Sequence, residues 1–286
     1  MVFLFFRRCE NLSKRSNEWS KQKLERYLKE GRGQGQNENY KPWLTVQDFP
    51  SIGRASRILG NKTKRVHHFF SDLETQCFYL WDWDQKVIDI KEHYPLLKLY
   101  DVVDVEDINV NAFKDKYTNE PYVLTTTFLV LVRTAVGGID CFARSVKYKL
   151  GLEKTTTMEK LELERRYWKA QGVDWAIITE DDIPKEKAKN IQWFHGVFNE
   201  YKNYDIDEKS MIRLCGEFLD YANSSDLSIR KLAKDFEIKN SLKEGTGIFI
   251  FKYLLAARVV EIDMNKSIDL NLTFSEVTKE ARGGFK

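Results

Sequence analysis

No two cysteines in this chain stand at the CxxC spacing of a zinc or redox motif. The four that exist, Cys9, Cys77, Cys141 and Cys215, are isolated, which argues against a zinc site and a disulfide framework and makes an intracellular setting the default. Long apolar runs are also missing. Met1–Phe6 (MVFLFF) stops at Arg7-Arg8, too short to span a bilayer or to form the apolar part of a secretory leader. It reads as stray translated upstream sequence, with a docking strand as the other reading. A strong net charge is absent too: charged residues make up 31% of the chain but sum to +3. That permits nucleic-acid binding without demanding it, so local charge must decide. What the chain does have is apolar substance. With 286 residues, 42% hydrophobic and 13% aromatic, it is large enough for two cored domains.

The clearest element is Tyr122–Leu150. Two β-branched, apolar runs are joined through Gly137-Gly138, a dipeptide that accepts the positive φ of a tight turn, so the spacing predicts a β-hairpin. Side-chain alternation then puts Ser145 and Lys147 on one face of its second strand.

Upstream, Trp19–Glu30 has helical apolar spacing and Gly31 as its stop. Between Gly31 and Arg65, seven cations (Arg32, Lys41, Arg54, Arg57, Lys62, Lys64, Arg65) stand against Glu38 and Asp48. Contact with phosphates by Arg32, Arg54, Arg57, Lys64 and Arg65 is one use of such a segment, and a solvated loop is the other. Val66–Trp83 carries His67, Phe70, Glu74, Phe78 and Trp81 at helical spacing, predicting one helix with Glu74 among aromatics. A carboxylate in such company needs an ion-pair partner or a metal. Lys86–Glu92 alternates as a strand, and Asp101–Asn119 is a polar, acidic excursion. Beyond the hairpin, Thr155–Ala170 reads as a helix with Met158, Leu161, Arg165 and Trp168 on one face, capped by Thr156 or Thr157 with help from Glu159. Val173–Thr179 reads as a buried strand. The order gives an α/β domain over 1–182.

Several stretches carry a resemblance. Lys29–Gly35 (KEGRGQG), Tyr40–Gln47 (YKPWLTVQ), the run Arg65–Glu74, Asp89–Leu97 (DIKEHYPLL) and Glu159–Trp168 (EKLELERRYW) are similar to TnsA, the endonuclease subunit of heteromeric cut-and-paste transposons. The likeness covers most of Lys29 to about Asn190. It implies a restriction-endonuclease-like α/β N-terminal domain, a mixed sheet flanked by helices. In it, Mg2+ held by acidic groups activates water for cutting 5′ ends of the element. It further implies transposon-end DNA, a TnsB-like transposase and a TnsC-like AAA+ regulator as partners, no membrane, and a bacterial cytoplasmic, nucleoid-associated location.

Mapped residue by residue, the resemblance places the helix-borne acidic ligand at Glu74 and the lysine at Lys147. The family's strand aspartate aligns with Thr127, and its glutamine with Ser145. A hydroxyl is a poor magnesium ligand beside a carboxylate, and losing one such charge can cost about 10³-fold in rate. Asp140 lies on the opposite face from Ser145 by alternation, and Asp72 points away from Glu74, so Glu159 and Glu162 become the candidate substitutes. The favoured reading is a core with Glu74 paired directly to Lys147 and cleavage lost or strongly weakened. The alternative is an active, rearranged Mg2+ site that includes Glu74.

From Ile183 onward the pattern changes. Ser210–Tyr221 reads as a helix with Ile212, Cys215, Phe218 and Leu219 inward, Leu227–Phe236 as a second with Ser228 as cap, and Ile248–Ala257 as a third. Val259–Asp263 and Ile268–Leu270 read as the strands of a wing, giving a mostly α winged-helix domain over 183–286. The third helix carries only Lys252 and Arg258 as cations, which favours docking over base readout. Thr273–Lys286 is expected to be a flexible docking tail.

Overall fold

The computed structural model describes residues 18–48 and 54–279; Cys9 and the Met1–Phe6 stretch lie outside them. The chain begins with α1 (Lys21–Lys29), whose cap Ser20 accepts a hydrogen bond from Lys23 N at 3.3 Å, and Gly31 at φ 76° ends it. A two-stranded ribbon follows, β1 (Ser56–Leu59) paired with β2 (Val66–Phe69), and then α2 (Asp72–Trp83). The expectation of one helix over 66–83 therefore gives way at its start. Val66 to Phe69 alternate between exposed and buried positions, the period of a strand. Ser71, accepting from Glu74 N at 3.2 Å, starts the helix.

The main sheet consists of β3 (Val87–Pro95), β4 (Thr125–Arg133), β5 (Ile139–Val146) and β6 (Asp174–Ile178) in that order. The first two pairings are antiparallel and the last is parallel. A short α3 (Leu99–Val102) lies between β3 and β4, and α4 (Thr155–Ala170) makes the crossover between β5 and β6. The hairpin turn is as the sequence has it: Gly137 sits at φ 85°, and Thr134 N donates to Gly138 O at 2.9 Å. Alternation sorts β4 between two cores. Phe128 and Val130 join Leu73, Cys77 and Phe78 of α2, while Leu129, with Ala143, joins Leu163, Tyr167 and Trp168 of α4. Full burial of a leucine, valine or phenylalanine side chain, as at Leu73, Val130 and Phe128, contributes about 1.5–3 kcal/mol.

Two details of α4 depart from the sequence reading. Its cap position is Lys154, with no side-chain cap bond, so neither Thr156 nor Thr157 closes a capping box. Its buried face is Leu161, Leu163, Glu164, Tyr167 and Trp168, whereas Met158 and Arg165 are exposed. Glu164 is thereby turned toward the sheet.

The C-terminal part comprises α5 (Lys185–Phe194), α6 (Glu208–Asn223), α7 (Ile229–Lys239), α8 (Thr246–Ala256), β7 (Glu261–Ile262), α9 (Phe274–Val277) and β8 (Thr278–Lys279). Its core is continuous with the α2 side of the sheet. Asp82 of α2 bonds His195 Nε2 at 2.7 Å across the junction, and Asn61 Nδ2 donates to His195 O at 2.8 Å. The ribbon differs from expectation: β7 pairs with β8 rather than with Ile268–Leu270, and Thr273–Lys279 is ordered as α9 and β8. Thr273 forms a capping box with Glu276 that starts α9, and that turn carries the chain back to β7. Residues 280–286 of the expected tail fall outside the described residues. In α6, Ile212 faces solvent while Cys215 and Phe218 are buried.

Candidate functional site

β4 and β5 are paired from Arg133 and Ile139 as far as Phe128 and Arg144, and there the ladder ends. Beyond that point a side chain takes over the backbone bond, as Val146 N donates to Thr127 Oγ1 at 3.0 Å. Thr127 and Ser145 are both buried at this end of the sheet, and Lys147 follows directly after β5. Ser145 lies on the α4 face. Ser145 Oγ donates to Glu164 Oε2 and accepts from Trp175 Nε1 at 3.1 Å. Lys160, one turn before Glu164, lies 3.4 Å from Glu164 Oε1 and donates to Thr125 O at 3.0 Å.

Lys147 lies within electrostatic reach of two carboxylates, Glu74 and Glu164. Burial pushes its ammonium below the usual lysine range, and Lys160 pushes the same way against the pull of Glu164 and Glu74. The direct Glu74–Lys147 ion pair expected from the sequence is not formed: no such pair lies within 4 Å. Glu74 occupies the third position of α2 and reaches back to accept from Phe70 N at 2.8 Å. Its other close neighbour is His93, whose Nε2 is 4.0 Å away. Burial pushes His93 below the usual imidazole range, and its Nε2 meets His68 O at 2.9 Å, a contact that needs a proton on that nitrogen. His93 holds this place at φ 49°, a left-handed conformation inside a strand.

The acids expected to stand in for Thr127 do not. Glu162 faces outward and binds Arg165 and Arg166, and Glu159 is only half-buried. The carboxylate that reaches the site is Glu164. Five residues from Glu159 and two from Glu162, it was hidden by a helical face drawn through Met158 and Arg165.

Magnesium takes oxygen ligands in near-octahedral order and usually recruits one or two carboxylates. Here the donors do not converge. Glu164 is engaged by Ser145 and Lys160, Thr127 Oγ1 by Val146 N, and Glu74 by Phe70 N. No group of three His, Cys, Asp or Glu side chains suited to a metal ion exists among the described residues. This donor set does not fit a divalent ion.

The five cations proposed for DNA separate into two groups. Arg65 is buried, its guanidinium forked onto Glu92 and bonded to Ile90 O at 2.7 Å. Glu92 also accepts from His67 Nδ1 at 2.8 Å; burial pushes its carboxyl up, but His67 and Arg65 more than reverse this and hold it far below the carboxylate range. Arg32 binds Asp48 at 2.7 Å and Glu30 at 2.8 Å and lies over the Tyr27 ring. Both are used inside the fold. Arg54, Arg57 and Lys64 are exposed, and Arg54 has only a loose pair with Asp72 at 3.6 Å.

In the C-terminal part, α8 buries Phe249, Ile250, Phe251, Leu254 and Leu255, so most of that helix is unavailable to a ligand. Arg230, Lys231 and Lys234 of α7 face solvent. Among the described residues, no helix is long and apolar enough to cross a membrane.

Residues 84–180 match the family model described as TnsA-like endonuclease N terminal, and residues 182–264 match that described as TnsA endonuclease C terminal. Thr127, Ser145, Lys147 and Glu164 fall inside the first match; Glu74 precedes it. The chain is 34% identical over 262 residues to the Transposon Tn7 transposition protein TnsA of Escherichia coli, covering 91% of this chain and 92% of that protein.

Proposed function

This chain belongs to the TnsA family, and from that premise we propose that it binds transposon-end DNA and partner proteins in a transposition complex while its own 5′-strand cleavage is lost or strongly weakened. One observation carries the loss: the positions that should supply an acid and an amide hold Thr127 and Ser145, and both hydroxyls are already hydrogen-bonded within the protein. The fold is retained where the chemistry is not, which suits a subunit kept for assembly.

Exposed Arg54, Arg57 and Lys64 supply the phosphate contacts in this reading. The winged-helix assignment for α6–α8 with β7 and β8 belongs to it as well. Because α8 is turned inward, that part docks on protein rather than reading bases, with a TnsB-like transposase and a TnsC-like AAA+ regulator as its partners. The nucleoid location follows from DNA binding.

A second reading rests on Glu164. Two carboxylates within electrostatic reach of Lys147 are a start toward acid–base chemistry, and a DNA phosphate that draws Lys160 away frees Glu164 Oε1, while Oε2 keeps its bond to Ser145. Incubating purified protein with end-containing duplex and Mg2+ decides between the two. No nicking supports the loss of cleavage; nicking abolished by Glu74→Ala and Glu164→Gln sinks it.

A further inference from the structure

The main sheet has one covered edge and one open edge. Along β3 the stretch 36–43 closes the outer side: Asn37 N donates to Asp89 Oδ2 at 3.1 Å, Trp43 N to His93 O at 3.4 Å and Tyr40 Oη to Glu92 O at 3.1 Å. Among the described residues, β6 pairs with β5 alone. Lys147 N donates to Ile178 O at 3.0 Å, so the alternation of the ladder turns the backbone groups of Trp175 and Ile177 away from β5. Neither meets a backbone partner on that outer side. Open edges are ordinarily blunted by charge, proline or a bulge. Here Trp175, Ala176, Ile177 and Ile178 are all apolar and half-buried. Trp175 packs on the α4 side of the sheet and Ile178 on the α2 side. A strand added beside them is therefore covered on both faces, and such strands read as unbroken apolar runs. The edge then ends in Glu180-Asp181-Asp182. Lys149 pairs with Asp181, and among the described residues no cation lies within 4 Å of Glu180 or Asp182.

The edge thus asks for a short, wholly apolar strand followed by cations. Met1–Phe6 (MVFLFF) followed by Arg7-Arg8 has that pattern. Running parallel to β6, as β6 runs to β5, and with Phe6 beside Ile178, it brings Arg7 and Arg8 alongside Thr179 to Asp182, where opposite charges attract. An antiparallel course would leave both arginines at the far end of the edge. The chain is also long enough. Thr126 of β4 is level with Val146 and hence with Ile178, and Trp19 is held at this same end of the sheet, its Nε1 donating to Pro121 O at 2.8 Å. From β4 to a strand beyond β6 is about 14 Å, and from Thr126 to Pro121 at most about 18 Å. The stretch from Arg8 to Trp19 spans up to about 36 Å. We infer that Met1–Phe6 adds to the open edge of β6 as a parallel fifth strand of its own sheet, shielding the edge from pairing with other chains.

Hydrogen exchange resolved to single amides tests it on three proteins: the full chain, a form lacking Met1–Arg8, and Phe3→Pro with Leu4→Pro. The two prolines remove a donor whichever of these residues faces β6. In the full chain the Trp175 and Ile177 amides are expected to exchange at least about tenfold more slowly than in either altered form. Amides of Phe128 and Val130, in the middle of the sheet, should keep one rate in all three and so report that the fold is intact. Sedimentation velocity at the same concentrations should show the protected full chain as a monomer. Equal exchange of Trp175 and Ile177 in the three proteins overturns the inference. Protection that comes with a dimer and fades on dilution also overturns it, because a second copy is then the occupant.

Discussion

Ser145 on β5 and Glu164 on α4, nineteen residues apart, form a buried hydrogen bond in which the serine hydroxyl donates to the carboxylate. The bond explains how a buried glutamate is tolerated beside an otherwise apolar helix face: Lys160 supplies the countercharge and Ser145 a donor. Ser145→Ala removes the donor and leaves part of a buried carboxylate unsatisfied, so a loss of about 1–3 kcal/mol is expected in urea unfolding. Glu164→Gln keeps the shape and can still accept from Ser145, so a smaller loss follows.

Restoring the family's groups at the degenerate positions tests whether the rest of the site survives. Lys147 and Glu74 remain at the open end of the sheet, so Thr127→Asp with Ser145→Gln is expected to give Mg2+-dependent nicking of end-containing duplex. The gain over the wild type should be on the order of 10³-fold. A double variant that folds, binds duplex and still does not cut would mean that the loss extends beyond these two side chains.

The cations divide into structural and surface groups that stability and salt dependence separate. Arg65→Ala leaves Glu92 charged and fully buried with only hydrogen bonds from His67 and the His68 N–H, so about 3–5 kcal/mol of stability should be lost. Arg57→Ala and Lys64→Ala change exposed side chains and should cost less than about 0.5 kcal/mol. Each should instead lower the slope of log affinity against log salt by about one charge. A normal slope in both surface variants would remove this segment from the DNA contact.

Much of this was legible in the sequence because the responsible signals are local. The hairpin is set by two β-branched runs around Gly137-Gly138, and α4 by its apolar spacing. The failures are places where partners distant in the chain decide. Val66-His67-His68-Phe69 fits both a helical and an alternating pattern, and only pairing with Ser56–Leu59 selects the strand. Glu159, Glu162 and Glu164 are equivalent as composition; the rotation of α4 on the sheet picks Glu164. The β7 partner is Thr278–Lys279, reached only after α9 returns the chain, so the nearer Ile268–Leu270 was the natural but wrong choice.

The last expectation concerns pH and His93. Burial lowers its folded-state pKa from the ordinary value near 6.5, so the unfolded chain takes up a proton first as pH falls. The sign follows: unfolding binds protons in that window, and stability rises with pH. The contribution of a neutral, buried His93 is therefore complete above about pH 6.5. It declines as pH drops from there toward the lower folded value, with a slope of at most about 1.4 kcal/mol per pH unit. His68, half-buried and also lowered by burial, adds a component of the same sign, so the wild-type profile alone does not assign the effect. His93→Asn does. Asparagine tolerates the left-handed φ of 49° at this position and carries an amide that can donate, yet does not titrate. Urea midpoints taken between about pH 5 and pH 7 should fall more steeply for the wild type than for His93→Asn; parallel curves would mean that His93 protonates in place without opposing the fold.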